Sequence, residues 1–581
     1  MFHLIRCIPQ KLPSSIFLQS STSILRCLST QSVNISRQFT VTTPIYYVNG
    51  APHIGHIYSN VLADCISRWH RQKGDHVLFT TGTDEHGSKI QKESQNSGES
   101  IVDYTNKISS EFQKSFKHFN ISYDDFIRTT EKRHEMVCDY VWNQMVSRGD
   151  IYKGEYEGWY CRSDESFLTE KQTTVDNNIR ISLESGHPVE WISEYNYVFK
   201  LSKYQNQILE FLQNNPSFIT PKSRYNEVVE MLQSPLPDLS VSRPAARVPW
   251  GISVPGDSSQ TMYVWIDALC NYLTTSTTNI NTNNKNNNTN TNTNNNNEIV
   301  PDFKLWPASI QIFGKDILKF HSIYWLAFLS SLSLPFPSRQ ICHSHWTVNN
   351  SKISKSRKNY IPLDVLNKYI TPEMFRYYFM TENCIDKDAD IQLSRLSSVI
   401  NGQLADNYGN LLLRCTNNKI TKYIQSTSSI SSIPHAMPNE NRERIVQMAK
   451  NVTECFDDCC FHSGIDLINQ HLKYLNKIFH ENEPWKLVKQ INNNPDILDK
   501  LNTLLYEVYE GLRVSSILLS PIIPQTSELV LKQLGIDAQY MQLDSVYSMK
   551  NDIAYNNIQN TKIVLFPKVD FNGNEELKTF L

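Results

Sequence analysis

The chain has 581 residues, roughly four times a ~150-residue domain, so several domains with full cores are expected. Hydrophobic residues make 40%, charged residues 20% and the mean hydropathy is -0.42; no apolar run approaches the ~20 residues of a membrane helix, which excludes a helical membrane protein. Lys plus Arg number 56 against 58 Asp plus Glu, a net charge of -2 that leaves any nucleic-acid partner to a local basic patch.

Residues 1–63 contain no Asp or Glu, and the first acid is Asp64. Residues 1–37 carry Arg6, Lys11, Arg26, Arg37 and eight serines, the composition of a mitochondrial transit peptide. Residues 39–48, FTVTTPIYYV, are β-branched and aromatic and predict a strand. After Gly50 and Gly55, the residues Ile57, Val61, Leu62, Ile66 and Trp69 recur at helical spacing until Gly74, and 76–80 predicts a second strand. Five of the 19 glycines fall between Gly50 and Gly87, so close-approach backbone is concentrated there. Strand, glycine turn, helix, strand is the opening of a doubly wound α/β domain, whose ligands lie beyond the carboxyl ends of its strands.

Residues from about 150 to 245 are polar and aromatic-rich and read as an insertion. The Asn/Thr run at 279–297 has Ile280 as its sole apolar residue and predicts a disordered surface insert. From about 400 onward, Leu411, Leu412 and Leu413, then Ile465, Ile468, Leu472 and Leu475, then Leu504, Leu505, Val508 and Leu512 give helical periodicity, punctuated by Pro521 and Pro524. This predicts an α-helical bundle. The twelve cysteines form no C-x-x-C pair, which suits free thiols in a reducing compartment. Cys455, Cys459 and Cys460 beside His462 are read as small buried helix residues rather than a metal site.

Two short constellations carry chemistry. Pro52-His53-Ile54-Gly55-His56 places two imidazoles around a glycine at a helix start, a natural phosphate site. About 300 residues later, SKISKSRK (351–358) sets small hydroxyl residues between lysines, a cationic loop able to close over a polyphosphate. Together they match the HIGH and KMSKS signatures of class I aminoacyl-tRNA synthetases. With TTPIYYVNGAPHIGHIYSNVLAD (42–64), TGTDEHG (81–87), YVWIDAL (263–269) and FGKDILKFH (313–321), the chain resembles the methionyl-tRNA synthetase family over nearly all its length after the leader.

The resemblance implies an α/β Rossmann-type catalytic domain with a doubly wound parallel sheet (38–150 and 246–345) and a connective insertion (151–245). A KMSKS and stem-contact segment (346–400) and a helical anticodon-binding domain (401–570) follow. It further implies ATP-dependent activation of methionine to methionyl-adenylate and transfer to tRNA(Met). By matching position, Asn49, His53, Gly55, His56, Asp316, Lys352, Ser354 and Lys355 would hold ATP. His53, His56, Lys352 and Lys355 would act on its phosphates. Ile45, Tyr47, Trp265, Ala268, Tyr272, Ile317, His321 and Trp325 would form the methionine pocket, and Asp84 would pair with the α-ammonium. The i, i+4, i+8 spacing of Ile317, His321 and Trp325 predicts one helix stripe, on which a buried His needs a polar partner. Asn410, Arg414 and Trp485 would read the anticodon, as amide, guanidinium and aromatic groups suit unstacked RNA bases.

Magnesium is expected with ATP rather than in a protein cage. The insertion offers Cys161, while residues 183–187 contain no cysteine, so no structural zinc is expected. A monomer in the mitochondrial matrix is expected, the chain ending soon after LFPKVDF (565–571). The rivals are a class I synthetase for leucine, isoleucine or valine, for whose editing domain the insertion is short; an RNA-binding factor that lost catalysis; and a nucleotidyltransferase, which would lack the anticodon triad.

Overall fold

The computed structural model describes residues 37–571 apart from 163–165, 177, 184, 280–299, 349–350, 353–362, 383–384, 427–436, 492–493, 549–552, 554, 556–557 and 560–562. The leader, the Asn/Thr run from Ile280 onward, Ser354 and Lys355 lie outside the described residues; for Lys352 only the backbone is described.

The predicted opening is present: β1 (Gln38–Tyr47), α1 (Ile54–Gln72) and β2 (His76–Asp84) follow one another. β1 is buried almost continuously rather than alternately, because it is the centre of a sheet covered on both faces. A proline inside such a strand would break the ladder, and Pro44 falls where the pairing with β2 shifts register between Thr42 and Ile45. α1 ends at Gly74, whose φ of +90° lets the chain turn into β2.

Four further strands complete the sheet: β3 (Asp125–Arg128), β4 (Ile219–Thr220), β5 (Ile310–Gly314) and β6 (Gln340–His343). The order is β3-β2-β1-β5-β6-β4, all parallel. The chain builds outward from β1 in one direction and then returns to β1's other side through β5, so the strand order reverses between β1 and β5. Alternate strand residues enter two cores. Ile310, Ile312 and Ile341 pack with α1 and the C-terminal helices, whereas Phe313, Cys342 and Ile219 pack with the helices Lys132–Ser147 and Val264–Thr274.

The insertion is built on an antiparallel ladder between Ile151–Cys161 and Val189–Phe199. Its last third is not separate. Ile208, Leu212, Val228 and Leu232 of two helices join the second core, and β4 lies at the edge of the main sheet, so residues 205–233 pack as part of the main sheet's body. The carboxyl part is helical as predicted, including Asn439–Asp457, Phe461–Glu481 and Pro495–Leu519. Cys459, expected within a helix, sits buried in the turn between the first two of these with φ +62°. No helix among the described residues is long and apolar enough to cross a membrane.

Candidate active site

A cavity of about 600 Å³ opens at the carboxyl ends of β1, β2 and β5, at the reversal of strand order. His53 is the N-cap of α1, its Nδ1 accepting from the Gly55 N–H at 3.1 Å, while His56 Nδ1 accepts from the His53 N–H at 3.2 Å. The two rings stack with centroids 3.7 Å apart. Because each Nδ1 is an acceptor, the neutral rings carry their hydrogen on Nε2, and both imidazoles are N–H donors at a helix amino terminus. A Cβ on Gly55 would lie 3.1 Å from the His53 ring, so glycine is what lets that ring fold back over the helix start. Asn49 also lines this end.

Methionine-side residues converge from three elements. Ile45 and Tyr47 alternate on β1, and Tyr47 is directly paired with Asp84 at the end of β2. Trp265, Ala268 and Tyr272 come from the helix Val264–Thr274, and Ile317 and His321 from the segment after β5. Gly82, in register with Ile45, carries no Cβ because one would meet the Ile127 carbonyl at 2.0 Å. The Trp265 ring stacks on Phe320 at 3.7 Å, which stiffens the wall. His321 has the polar partners its burial demands: Nδ1 donates to the Ile317 carbonyl at 3.0 Å, and Nε2 accepts from the Tyr272 hydroxyl at 2.7 Å. Burial pushes its pKa down to about 4, so the slot presents a neutral ring.

Trp325 does not line the cavity. A π-helical turn, Phe320–Tyr324, contains His321 and changes the phase of the helix before Trp325, which packs behind Tyr272 at 5.8 Å between centroids. It supports the wall rather than forming it.

Opposite the α1 histidines, Asp316 lines the cavity with its Oδ1 3.1 Å from His345 Nε2. The His345 N–H is donated to Asp388, whose carboxylate takes Lys315 at 2.7 Å through both oxygens. His345 precedes the strand Trp346–Val348, which pairs antiparallel with Ser351–Lys352, the start of the KISKS loop. His343 and Ser59 join at 2.7 Å, and burial holds His343 near 4 as well. Lys89, Asn271, His343, His345 and Trp346 line the cavity without having been predicted. The available signal was two histidines two residues apart at a strand end, shortly before the lysine loop.

In the helical region, Asn410 and Arg414 lie one turn apart on Asn410–Cys415. The Arg414 guanidinium lies 5.1 Å from the Phe479 ring and 5.9 Å from the Trp485 ring, and Asn410 is exposed. The structure thus joins Arg414 and Trp485 across a long sequence separation, with Asn410 on the same helix.

The family model described as tRNA synthetases class I (M) matches residues 39–416. A protein of Dictyostelium discoideum named probable mitochondrial methionine–tRNA ligase is 40% identical over 578 residues, covering 96% of each chain. The human mitochondrial methionine–tRNA ligase is 39% identical, covering 87% of this chain and 85% of its own. The solved Mycobacterium tuberculosis methionyl-tRNA synthetase bound by methionyl-adenylate superposes with a TM-score of 0.80 at 30% identity, over 91% of this chain and 100% of that one. Likeness of this extent, with a cavity at the strand reversal flanked by the HIGH histidines, means that the chain belongs to the class I methionyl-tRNA synthetase family.

Proposed function

We propose that the single cavity carries out both half-reactions of methionine–tRNA ligation. The methionine carboxylate attacks the α-phosphorus of ATP and pyrophosphate leaves; the terminal ribose hydroxyl of tRNA(Met) then attacks the mixed anhydride and AMP leaves. The observation that carries this reading is the meeting, in one cavity, of a helix amino terminus bearing two Nε2–H donors with a neutral aromatic slot ending in Tyr272 and His321.

In this reading His53 and His56 donate to the phosphates as charge builds, and Lys352, Ser354 and Lys355 close over the departing pyrophosphate. Asn49, Gly55 and Asp316 hold the rest of ATP. Asp84 pairs with the α-ammonium, and Ile45, Tyr47, Trp265, Ala268, Tyr272, Ile317 and His321 enclose the side chain. Little covalent chemistry falls to the protein, so positioning dominates. Magnesium enters as part of the ATP complex; the cavity's carboxylates, Asp84 and Asp316, are too few for a protein cage.

Residues 346–400 support the acceptor stem, and 401–570 bind the anticodon through Asn410, Arg414 and Trp485. The insertion is read as working without zinc, because Cys161 is its sole cysteine and four ligands at zinc spacing cannot be assembled around it. The basic, acid-free leader and the mitochondrial relatives support action in the mitochondrial matrix.

The test is amino-acid-dependent ATP/pyrophosphate exchange with methionine, leucine, isoleucine and valine. Exchange with methionine alone is expected; preference for another of the four would overturn the substrate assignment.

A further inference from the structure

Behind the cavity, and absent from its lining, Asp267 is buried between two imidazoles. Its Oδ2 lies 2.7 Å from His86 Nδ1 and its Oδ1 2.7 Å from His134 Nε2. The Thr274 hydroxyl meets His134 Nδ1 at 2.9 Å, and Asp267 receives one hydrogen bond on each oxygen, from His86 Nδ1 and from His134 Nε2. Although His134, Cys138 and Asp267 have ligand atoms within 4.8 Å of one another, the 2.7 Å contact is a hydrogen bond. Two ligands on a tetrahedral zinc, each ~2.0 Å from it, stand roughly 3.3 Å apart. The cluster is a closed hydrogen-bond chain.

What the chain connects gives it a role. His86 follows Asp84 by two residues, and its backbone N–H points at Asp84 Oδ1 from 3.5 Å. Asp267 lies on the helix that carries Trp265, Ala268 and Tyr272 into the cavity. His134 belongs to a third element, the helix Lys132–Ser147, and backs the carboxylate from the far side. Burial alone would drive the His86 proton off, but the Asp267 carboxylate outweighs it and raises the ring's pKa.

We infer that His86, Asp267 and His134 are positioning residues that set the separation between the carboxylate holding the α-ammonium and the slot holding the side chain, and thereby the side-chain length accepted. The inference rests on the assignment of Asp84 and the slot made above. An amino acid must satisfy both ends at once, so slack between them weakens methionine and spares a shorter analogue such as homocysteine, which tolerates misplacement better.

The test uses pyrophosphate exchange by the full chain with methionine and homocysteine, alongside thermal unfolding. His86→Ala is expected to raise the KM for methionine about tenfold, to leave the KM for ATP within about twofold, and to lower the methionine-to-homocysteine ratio of kcat/KM about tenfold, a loss of about 1.4 kcal/mol of discrimination. His86→Asn, whose Nδ2 can stand where the imidazole Nδ1 stood, is expected to restore all three to within about threefold. Asp267→Asn should resemble His86→Ala; if it does not fold, the His86 pair decides. Wild-type behaviour of His86→Ala, or an equal rise in both KM values with an unchanged ratio, would overturn the inference. Asp84→Asn separates the two levels. If it abolishes methionine binding while His86→Ala is normal, only the positioning role fails; if it leaves methionine binding intact, the ammonium assignment fails and the inference with it.

Discussion

Arg376 and Asp64 form an ion pair of 2.7 Å in which neither side chain has any exposed surface. Asp64 is on α1, the helix capped by His53, and Arg376 is on the helix Pro372–Glu382. The same guanidinium donates to the carbonyls of Phe119, Pro521 and Ile522, so one side chain ties the catalytic helix to the helical bundle. Asp64 in turn takes Arg68 and both the N–H and hydroxyl of Ser122.

Removing one partner of such a pair strands the other. Arg376→Met leaves Asp64 with Arg68 as its remaining charged partner and three buried carbonyls without their donor, and should cost about 3–5 kcal/mol. Asp64→Asn keeps the shape and loses the charge match. In a double-mutant cycle followed by urea unfolding, Asp64→Asn combined with Arg376→Met should cost clearly less than the sum of the single changes. Additive costs would mean that the two residues contribute independently.

Tyr272→Phe tests the slot. It removes the one donor to His321 Nε2, leaving a buried acceptor unpaired at a cost of about 1–3 kcal/mol. Because Tyr272 and His321 are proposed to face methionine and not ATP, the KM for methionine should rise about 5- to 100-fold in pyrophosphate exchange, with the KM for ATP nearly unchanged. A parallel change in both would show that the hydroxyl acts on the fold at large.

The contrast between what the sequence discloses and what it hides follows contact range. β1, α1 and β2 were legible because hydrophobic period and glycine punctuation are local, and most cavity residues were legible through motif resemblance. His86 and Asp267 are 181 positions apart, and neither position has a local mark of the other. The misplacement of Trp325 has a different cause: an i→i+5 turn at 320–324 has no compositional signature, yet it rotates everything after it. β4 has two residues, too short for any periodic pattern, so the return of the chain to the main sheet inside the insertion was hidden.

Acid sensitivity should come from histidines before carboxylates. Burial holds His321, His343 and His471 near 4, against 6.5 for a free imidazole. Each stays neutral in the folded chain while the unfolded chain takes up its proton, so stability falls as the pH drops from 6.5 towards 4, approaching about 1.4 kcal/mol per pH unit for each ring. Asp64 resists burial through Arg376 and Arg68, which hold it below the ordinary 3.8, so its contribution is lost only at lower pH. His471, in the helix Phe461–Glu481, is the cleanest probe because its Nε2 has no hydrogen-bond partner among the described residues. In His471→Leu the loss of stability between pH 6.5 and 5 should shrink by about 2 kcal/mol, read from urea midpoints. An unchanged pH slope would show that this ring does not titrate on unfolding.

The final prediction separates the two ends of the molecule. Arg414, Phe479 and Trp485 form a partly buried platform of one guanidinium and two rings, with exposed Asn410 one turn away. Stacking on an aromatic ring contributes about 1–3 kcal/mol per base, so Trp485→Ala should lower kcat/KM for tRNA charging about 5- to 150-fold. Methionine-dependent pyrophosphate exchange requires no tRNA and should stay within about twofold. Arg414→Lys is the sharper variant, since it keeps the charge but loses the planar fork that can lie against a base. A matching loss of charging in Arg414→Lys would identify geometry rather than charge as what the platform supplies. If Trp485→Ala instead lowers exchange and charging together, the ring is a core residue of the bundle, and the anticodon must be read elsewhere.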